Sequence, residues 1–109
     1  MQFSDYQTAS WKTATYPHAG ENLYYAALGL GGEAGEMLNK IKKIIRDHDS
    51  VLTDDYRELC KAELGDVLWY VAALATELHI DLETVAQDNI NKLTSRQERG
   101  TLGGSGDVR

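Results

Sequence analysis

Proline is almost missing from this chain: Pro17 is the only one in 109 residues, so nothing after Tyr16-Pro17-His18-Ala19-Gly20 is forced to break a helix. Cysteine is as scarce. Cys60 alone excludes an intrachain disulfide framework and a cysteine-rich zinc site, and with no base beside it in Glu58-Leu59-Cys60-Lys61 it reads as a structural thiol. No apolar run approaches the roughly 18 residues of a membrane span. Met1-Gln2-Phe3-Ser4-Asp5 also lacks the basic-then-apolar pattern of a secretion signal, so a cytoplasmic location is expected. Positive charge is in deficit, with eleven Lys and Arg against seventeen Asp and Glu for a formal charge of -6. That balance argues against a membrane anchor or a nucleic-acid polymer as partner, since both need a cationic surface. It leaves room for a nucleotide, because carboxylates can hold a divalent metal that in turn holds phosphates.

The length points to one domain over residues 1–109. Such a small chain leaves much apolar surface exposed unless it associates, so a homodimer or homotetramer is expected. From about Asn22 to Ile45, Leu23, Ala27, Leu30, Ala34, Met37, Leu38, Ile41 and Ile44 recur at the spacing of a helix with one buried side. Gly29, Gly31, Gly32 and Gly35 weaken this helix and suggest close helix approach, room for a ligand or a break. A second long helix is predicted from Asp54 or Asp55 to about Leu78, with Leu59, Ala62, Val67, Tyr70, Val71, Leu74 and Leu78 on its apolar side. A third runs from Leu82 to about Arg99, and a short one from roughly Ser4 to Trp11. The fold class is all-α, a four-helix-bundle-like arrangement completed by oligomerisation. From about residue 100 the chain turns glycine-rich, as a disordered end or a loop that orders on a ligand or partner.

Two acid pairs carry the functional argument: Glu33 with Glu36, and Glu63 with Asp66. Each has i,i+3 spacing, which puts both side chains on one helix face. At roughly 100° per residue, Glu63 falls within about 40° of Leu59, Val67, Tyr70 and Leu74, on or beside the stripe expected to be buried. The first pair lies alike beside Leu30, Met37 and Ile44. Neighbouring helices would then aim four carboxylates into one crevice, where repulsion is relieved by protons or by cations. Hard divalent cations prefer such oxygen ligands, which makes Mg²⁺ the expected metal, with Mn²⁺ as a substitute; no histidine joins either pair, which disfavours a softer metal. An isolated pair of this kind is most often a solvated patch, but the pattern occurs twice, with glycine directly before the second acid each time.

On the third helix Asn89, Lys92 and Arg96 form one stripe of amide, ammonium and guanidinium groups suited to a polyphosphate, or else a solvated basic flank near a helix C-terminus. Lys40 is placed to orient Glu36 or to touch phosphate. Trp69, Trp11, Phe3 and the tyrosines at 16, 24, 25 and 70 are candidates for stacking on a base or for core packing. His18 follows the proline turn at a pocket mouth or at the surface, while His48 and His79 fall in connections.

Ala27-Leu28-Gly29-Leu30-Gly31-Gly32-Glu33-Ala34-Gly35-Glu36 with Ile41-Lys42-Lys43, then Glu63-Leu64-Gly65-Asp66-Val67-Leu68-Trp69-Tyr70, then Asn89-Ile90-Asn91-Lys92-Leu93-Thr94-Ser95-Arg96, together resemble the MazG-like branch of the all-α nucleoside triphosphate pyrophosphohydrolases, in a small single-domain form. The resemblance covers most of residues 16 to 107 and includes both the ExxE and the later ExxD motif. It implies a helical bundle active as a dimer or a dimer of dimers, with Glu33, Glu36, Glu63 and Asp66 as catalytic metal ligands. It also implies that Asn89, Lys92 and Arg96 meet phosphate or close the site. Such enzymes convert normal or damaged nucleoside and deoxynucleoside triphosphates to monophosphate and pyrophosphate, often as house-cleaning. Two other readings stand beside this one: a helical protein-interaction or regulatory module without turnover, and a hydrolase of another pyrophosphate-linked compound such as phosphoribosyl-ATP.

Overall fold

The computed structural model describes residues 1–109 as four helices without a strand: α1 Phe3–Trp11, α2 Leu23–Asp47, α3 Asp54–Glu77 and α4 Leu82–Glu98. All four expected helices are present, and their starts follow from side-chain caps. Asn22 Oδ1 accepts from the Tyr25 N–H at 3.2 Å, Thr53 Oγ1 from Tyr56 at 3.2 Å, and Asp81 Oδ1 from Glu83 at 3.3 Å, each satisfying a donor the first helical turn leaves open. Helix α4 stops where Gly100 takes a left-handed φ of 70° and the Thr101 N–H reaches back to the Arg96 carbonyl at 2.8 Å, a closure that glycine adopts without strain. Helix α2 runs unbroken through its glycines, so the alternative of a break there does not hold.

Helix α3 is the hub: it packs on α1, α2 and α4, whereas α2 packs on α3 alone. One glycine makes the α2–α3 approach close. A Cβ built at Gly29 would lie 2.1 Å from the Tyr70 ring, so the ring occupies the space a side chain would need. Helix α1 is fastened to the other side through Gln7. Its Nε2 donates to Thr76 Oγ1 at 3.1 Å and to the Ile80 carbonyl at 2.9 Å, and its Oε1 accepts from the Leu82 N–H at 2.8 Å.

Two expectations are corrected. Of the side of α2 expected to be covered, only Ile44 is fully buried, and the buried alanine is Ala26. Leu23, Ala27, Ala34, Leu38 and Ile41 face solvent, because three neighbours crowd around α3 and none lies on the far side of α2. The glycine-rich tail, expected as a disordered end or a loop ordered by a ligand or partner, is held by bonds within the chain. Residues 101–109 fold back on α4, where the Arg109 guanidinium donates to the carbonyls of Thr101, Leu102, Gly103 and Gly106 at 2.6–3.2 Å. A fork of five N–H donors gathers carbonyls that a glycine-rich loop leaves unpaired.

Replacing Gly29 with alanine should therefore lower stability by about 1–3 kcal/mol, the usual cost of overpacking a close contact. Gly32→Ala, where a Cβ meets nothing within 4 Å, should raise it by up to about 1 kcal/mol through helix propensity. Urea unfolding midpoints of the two variants check the contrast; equal shifts of the same sign would refute the packing of Tyr70 against Gly29.

Candidate active site

The pairing of α2 with α3 brings three of the four expected acids together. One carboxylate oxygen each from Glu33, Glu63 and Asp66 lies within 4.8 Å of the other two. Glu36, one turn further along α2, stands outside this group and faces solvent. A single cation touches the cluster: Lys40 Nζ lies 3.6 Å from Glu63 Oε1. Seven residues separate Glu33 from Lys40, about two helical turns, so both sit on the α3-facing side of α2.

The electrostatics follow from that crowding. Burial first, and then the charges of Asp66, Glu63 and Glu36, push the Glu33 carboxyl above the ordinary range, with a hydrogen bond to Glu63 in the same direction. Burial and the charge of Asp66 likewise raise the Tyr6 hydroxyl. Three carboxylates face one lysine here, an excess of negative charge that favours a proton on Glu33 when no metal is bound.

The acids open onto aromatic surface. Glu33, Asp66, Trp69 and Tyr70 line one cavity of about 360 Å³. Next to it, Trp69 and Tyr70 also border a second cavity of about 320 Å³ whose other walls are Thr13, Thr15, Tyr16, Pro17 and Tyr25. The rings there are ordered against one another. Tyr16 stacks on Tyr25 at 4.7 Å and 5°, and meets Trp69 edge-on at 6.2 Å and 81°. The Trp69 indole N–H donates to Thr13 Oγ1 at 2.8 Å.

Sequence reasoning placed Tyr16, Tyr25, Trp69 and Tyr70 among the stacking candidates but missed what holds them. Glu77, buried at the end of α3, accepts from the Tyr16 hydroxyl, from the Gly20 N–H at 2.8 Å and from the Asn22 N–H at 3.0 Å. Burial opposes its ionisation, but these bonds outweigh burial and hold the carboxyl below the usual range, while burial and the same pairing push the Tyr16 hydroxyl up. A signal was present: Glu77 is the lone charge between Asp66 and His79 in an otherwise apolar and small-residue run.

The stripe on α4 is not brought to the acids within one chain. Arg96 is buried and donates to the Asp107 carbonyl at 2.8 Å, which makes it an anchor for the tail. Asn89 and Lys92 are exposed on a helix that does not pack on α2. His18, His48 and His79 all face solvent and lie outside the acid cluster.

A profile of the MazG nucleotide pyrophosphohydrolase domain matches residues 24–101. The chain belongs to that family. It is also similar to the Gene 37 protein of Mycobacterium phage L5, with 54% identity over 114 aligned residues that cover the whole of both chains. No solved structure matches. The matched MazG stretch contains all four acids, Lys40, Trp69, Tyr70 and Glu77, whereas Thr13, Thr15, Tyr16 and Pro17 of the aromatic cavity precede it.

The donor set fits a small hard cation. Oxygens around an octahedral Mg²⁺ stand roughly 2.9 Å apart when adjacent and about 4.2 Å when opposite, so the three carboxylates would close inward from their present spacing to hold the ion.

A metal-free site of this kind has a defined pH signature. The folded state raises the Glu33 pKa above its unfolded value, so the stability this provides is full below about pH 4.3 and is lost as pH rises through the folded pKa. The depressed Glu77 acts only lower, where its contribution is lost as pH falls through its own folded pKa. In chelator, the wild type should lose stability as pH rises above about 4.3 and Glu33→Gln should not, leaving the variant the more stable protein at pH 7. Thermal unfolding across this pH range checks this; parallel curves for both proteins would remove Glu33 as the strained member of the cluster.

Proposed function

We propose that the protein hydrolyses nucleoside or deoxynucleoside triphosphates to the monophosphate and pyrophosphate, as a house-cleaning enzyme of the nucleotide pool. The observation that carries this reading is the shared wall of Trp69 and Tyr70: an acidic cavity suited to metal and phosphate adjoins an aromatic cavity suited to a base. Family membership supports the pyrophosphohydrolase class.

In this proposal Glu33, Glu63 and Asp66 hold Mg²⁺, or Mn²⁺ in its place, with Glu36 completing the set from the next turn. The ion would offset charge on the substrate phosphates and lower the pKa of a water. Glu36 or Glu63 takes the attacking water's proton. Lys40 supplies the phosphate contact within one chain, leaving Glu63 when a cation replaces it there. Asn89 and Lys92 keep a phosphate role by family resemblance on their solvent-facing stripe, and Arg96 contributes by holding the tail in place. Tyr16, Tyr25 and Trp69 receive the nucleobase, where stacking on rings contributes roughly 1–3 kcal/mol per base.

A homodimer or homotetramer belongs to the same proposal. The accessible surface is 7706 Å², whereas a compact monomer of 12.1 kDa exposes about 6,000 Å². The radius of gyration is 16.8 Å against about 13 Å for a compact chain of this length. The excess lies along α2, where Tyr24, Leu28, Leu38 and Ile45 are open to solvent at 60–77% of their surface and are spaced at heptad-like intervals. Gly31 and Gly35 sit between them with nothing within 4 Å of an added Cβ, a surface that lets another helix approach closely.

Two measurements test these readings. Phosphorus NMR of a triphosphate digest in Mg²⁺ should show monophosphate and pyrophosphate, and Glu63→Ala or Asp66→Ala should cut the rate roughly 100-fold or more with the helical signal retained. Diphosphate with orthophosphate as products would refute the bond assignment. Light scattering should return a multiple of the 12.1 kDa chain mass, and Leu28→Glu with Leu38→Glu should shift it toward the monomer; a wild-type mass near one chain would refute the assembly.

A further inference from the structure

Helix α3 ends in a carboxylate that phosphate chemistry does not use. Eleven residues separate Asp66 from Glu77, about 16 Å along a helix, so Glu77 is too far from the acids to hold metal or touch the phosphates. It is nonetheless 6% exposed, and a carboxylate is buried at high cost unless its charge is met by donors. All the hydrogen bonds it receives come from one segment: the Tyr16 hydroxyl and the N–H groups of Gly20 and Asn22.

That segment builds the aromatic cavity. Asn22 caps α2 and in turn donates from Nδ2 to the Pro17 carbonyl at 2.8 Å, while the Tyr16 ring meets Trp69, Tyr25 and Trp11. One carboxylate thus fixes the Tyr16 ring and the turn behind it, at the point where the chain leaves the part matched to the family domain. An apolar residue would fill the space at Glu77 but would leave two backbone N–H groups and a hydroxyl without partners.

We propose that Glu77 is a positioning residue for the nucleobase subsite, acting through Tyr16 and the residue 16–22 turn to fix the aromatic wall against which the base stacks. This inference rests on the reading of that cavity as the base site. Glu77 therefore governs how tightly the nucleoside end of the substrate is held, and the bond-breaking step proceeds at an unaltered rate once the substrate is bound.

The test compares a nucleoside triphosphate with a ligand that has phosphates and no base. KM and kcat for the triphosphate, and the inhibition constant of inorganic tripolyphosphate, are measured for the wild type, Glu77→Gln and Tyr16→Phe. In Glu77→Gln an amide NH₂ confronts backbone N–H donors, and KM should rise by about 10-fold or more with kcat within about twofold. Tyr16→Phe keeps the ring and removes one bond, so KM should rise in the same direction by a smaller factor. Inhibition by tripolyphosphate should be unchanged in both. A KM unchanged in the folded variants overturns the inference, as does a rise matched by equal weakening of tripolyphosphate, which is what a merely structural role produces. Should Glu77→Gln fail to fold, the KM of Tyr16→Phe decides alone. A wild type that turns over no triphosphate sinks the base-site reading itself, whereas turnover with unchanged KM in the variants sinks only the role of Glu77.

Discussion

The packing of the Tyr70 ring on the backbone at Gly29 is the contact from which the rest of the site follows. Helices α2 and α3 run antiparallel, so each turn forward from Gly29 on α2 is matched by a turn backward from Tyr70 on α3. One turn on, Glu33 faces Asp66; further along the seam, Lys40 meets Glu63. A side chain at position 29 would push the helices apart and open the spacing of the acids with them. The geometry of the acid cluster is in this sense a consequence of one missing Cβ.

The same seam concentrates negative charge, and nothing else in the fold compensates for it except Lys40. Stability comes instead from the opposite side of α3, where Gln7 ties α1 to the α3–α4 turn and Ala72, Ala75 and Leu82 are buried. The molecule is divided along α3: one side is packed and satisfied, the other strained by like charges and backed by an α2 face with no cover. Covering that face would stiffen α2 where Glu33 and Lys40 project from it. The proposed assembly and the proposed metal site would therefore act on the same helix.

The helices were legible because their signals are local. Pro17, the polar connections after it and an apolar period near 3.6 residues place them. The acids were legible because ExxE and ExxD force two carboxylates onto one helix face, and only the neighbouring α2 and α3 had to be brought together. What stayed hidden depends on contacts distant in sequence. The apolar pattern of α2 does not distinguish a side covered by the same chain from one left open, so Leu38 and Ile41 read as core. Arg96 resembled its neighbours Asn89 and Lys92 until the tail was seen to return to it, and that return depends on Asp107 and Arg109. Glu77 was readable only as an anomaly, a charge among apolar residues, with partners 55 to 61 positions away.

Helix α3 also explains how specificity and chemistry are kept in register. Asp66, Trp69 and Tyr70 occupy successive positions on a single turn, and Glu77 follows about two turns later. Asp66, the rings that divide the two cavities and the carboxylate that holds Tyr16 thus share one rigid element. On the proposed reading, helix rise along α3 would set the distance between the phosphate end and the base end of a nucleotide. The Tyr16 wall comes from outside this helix, and the Glu77 carboxylate ties it to α3 through three hydrogen bonds.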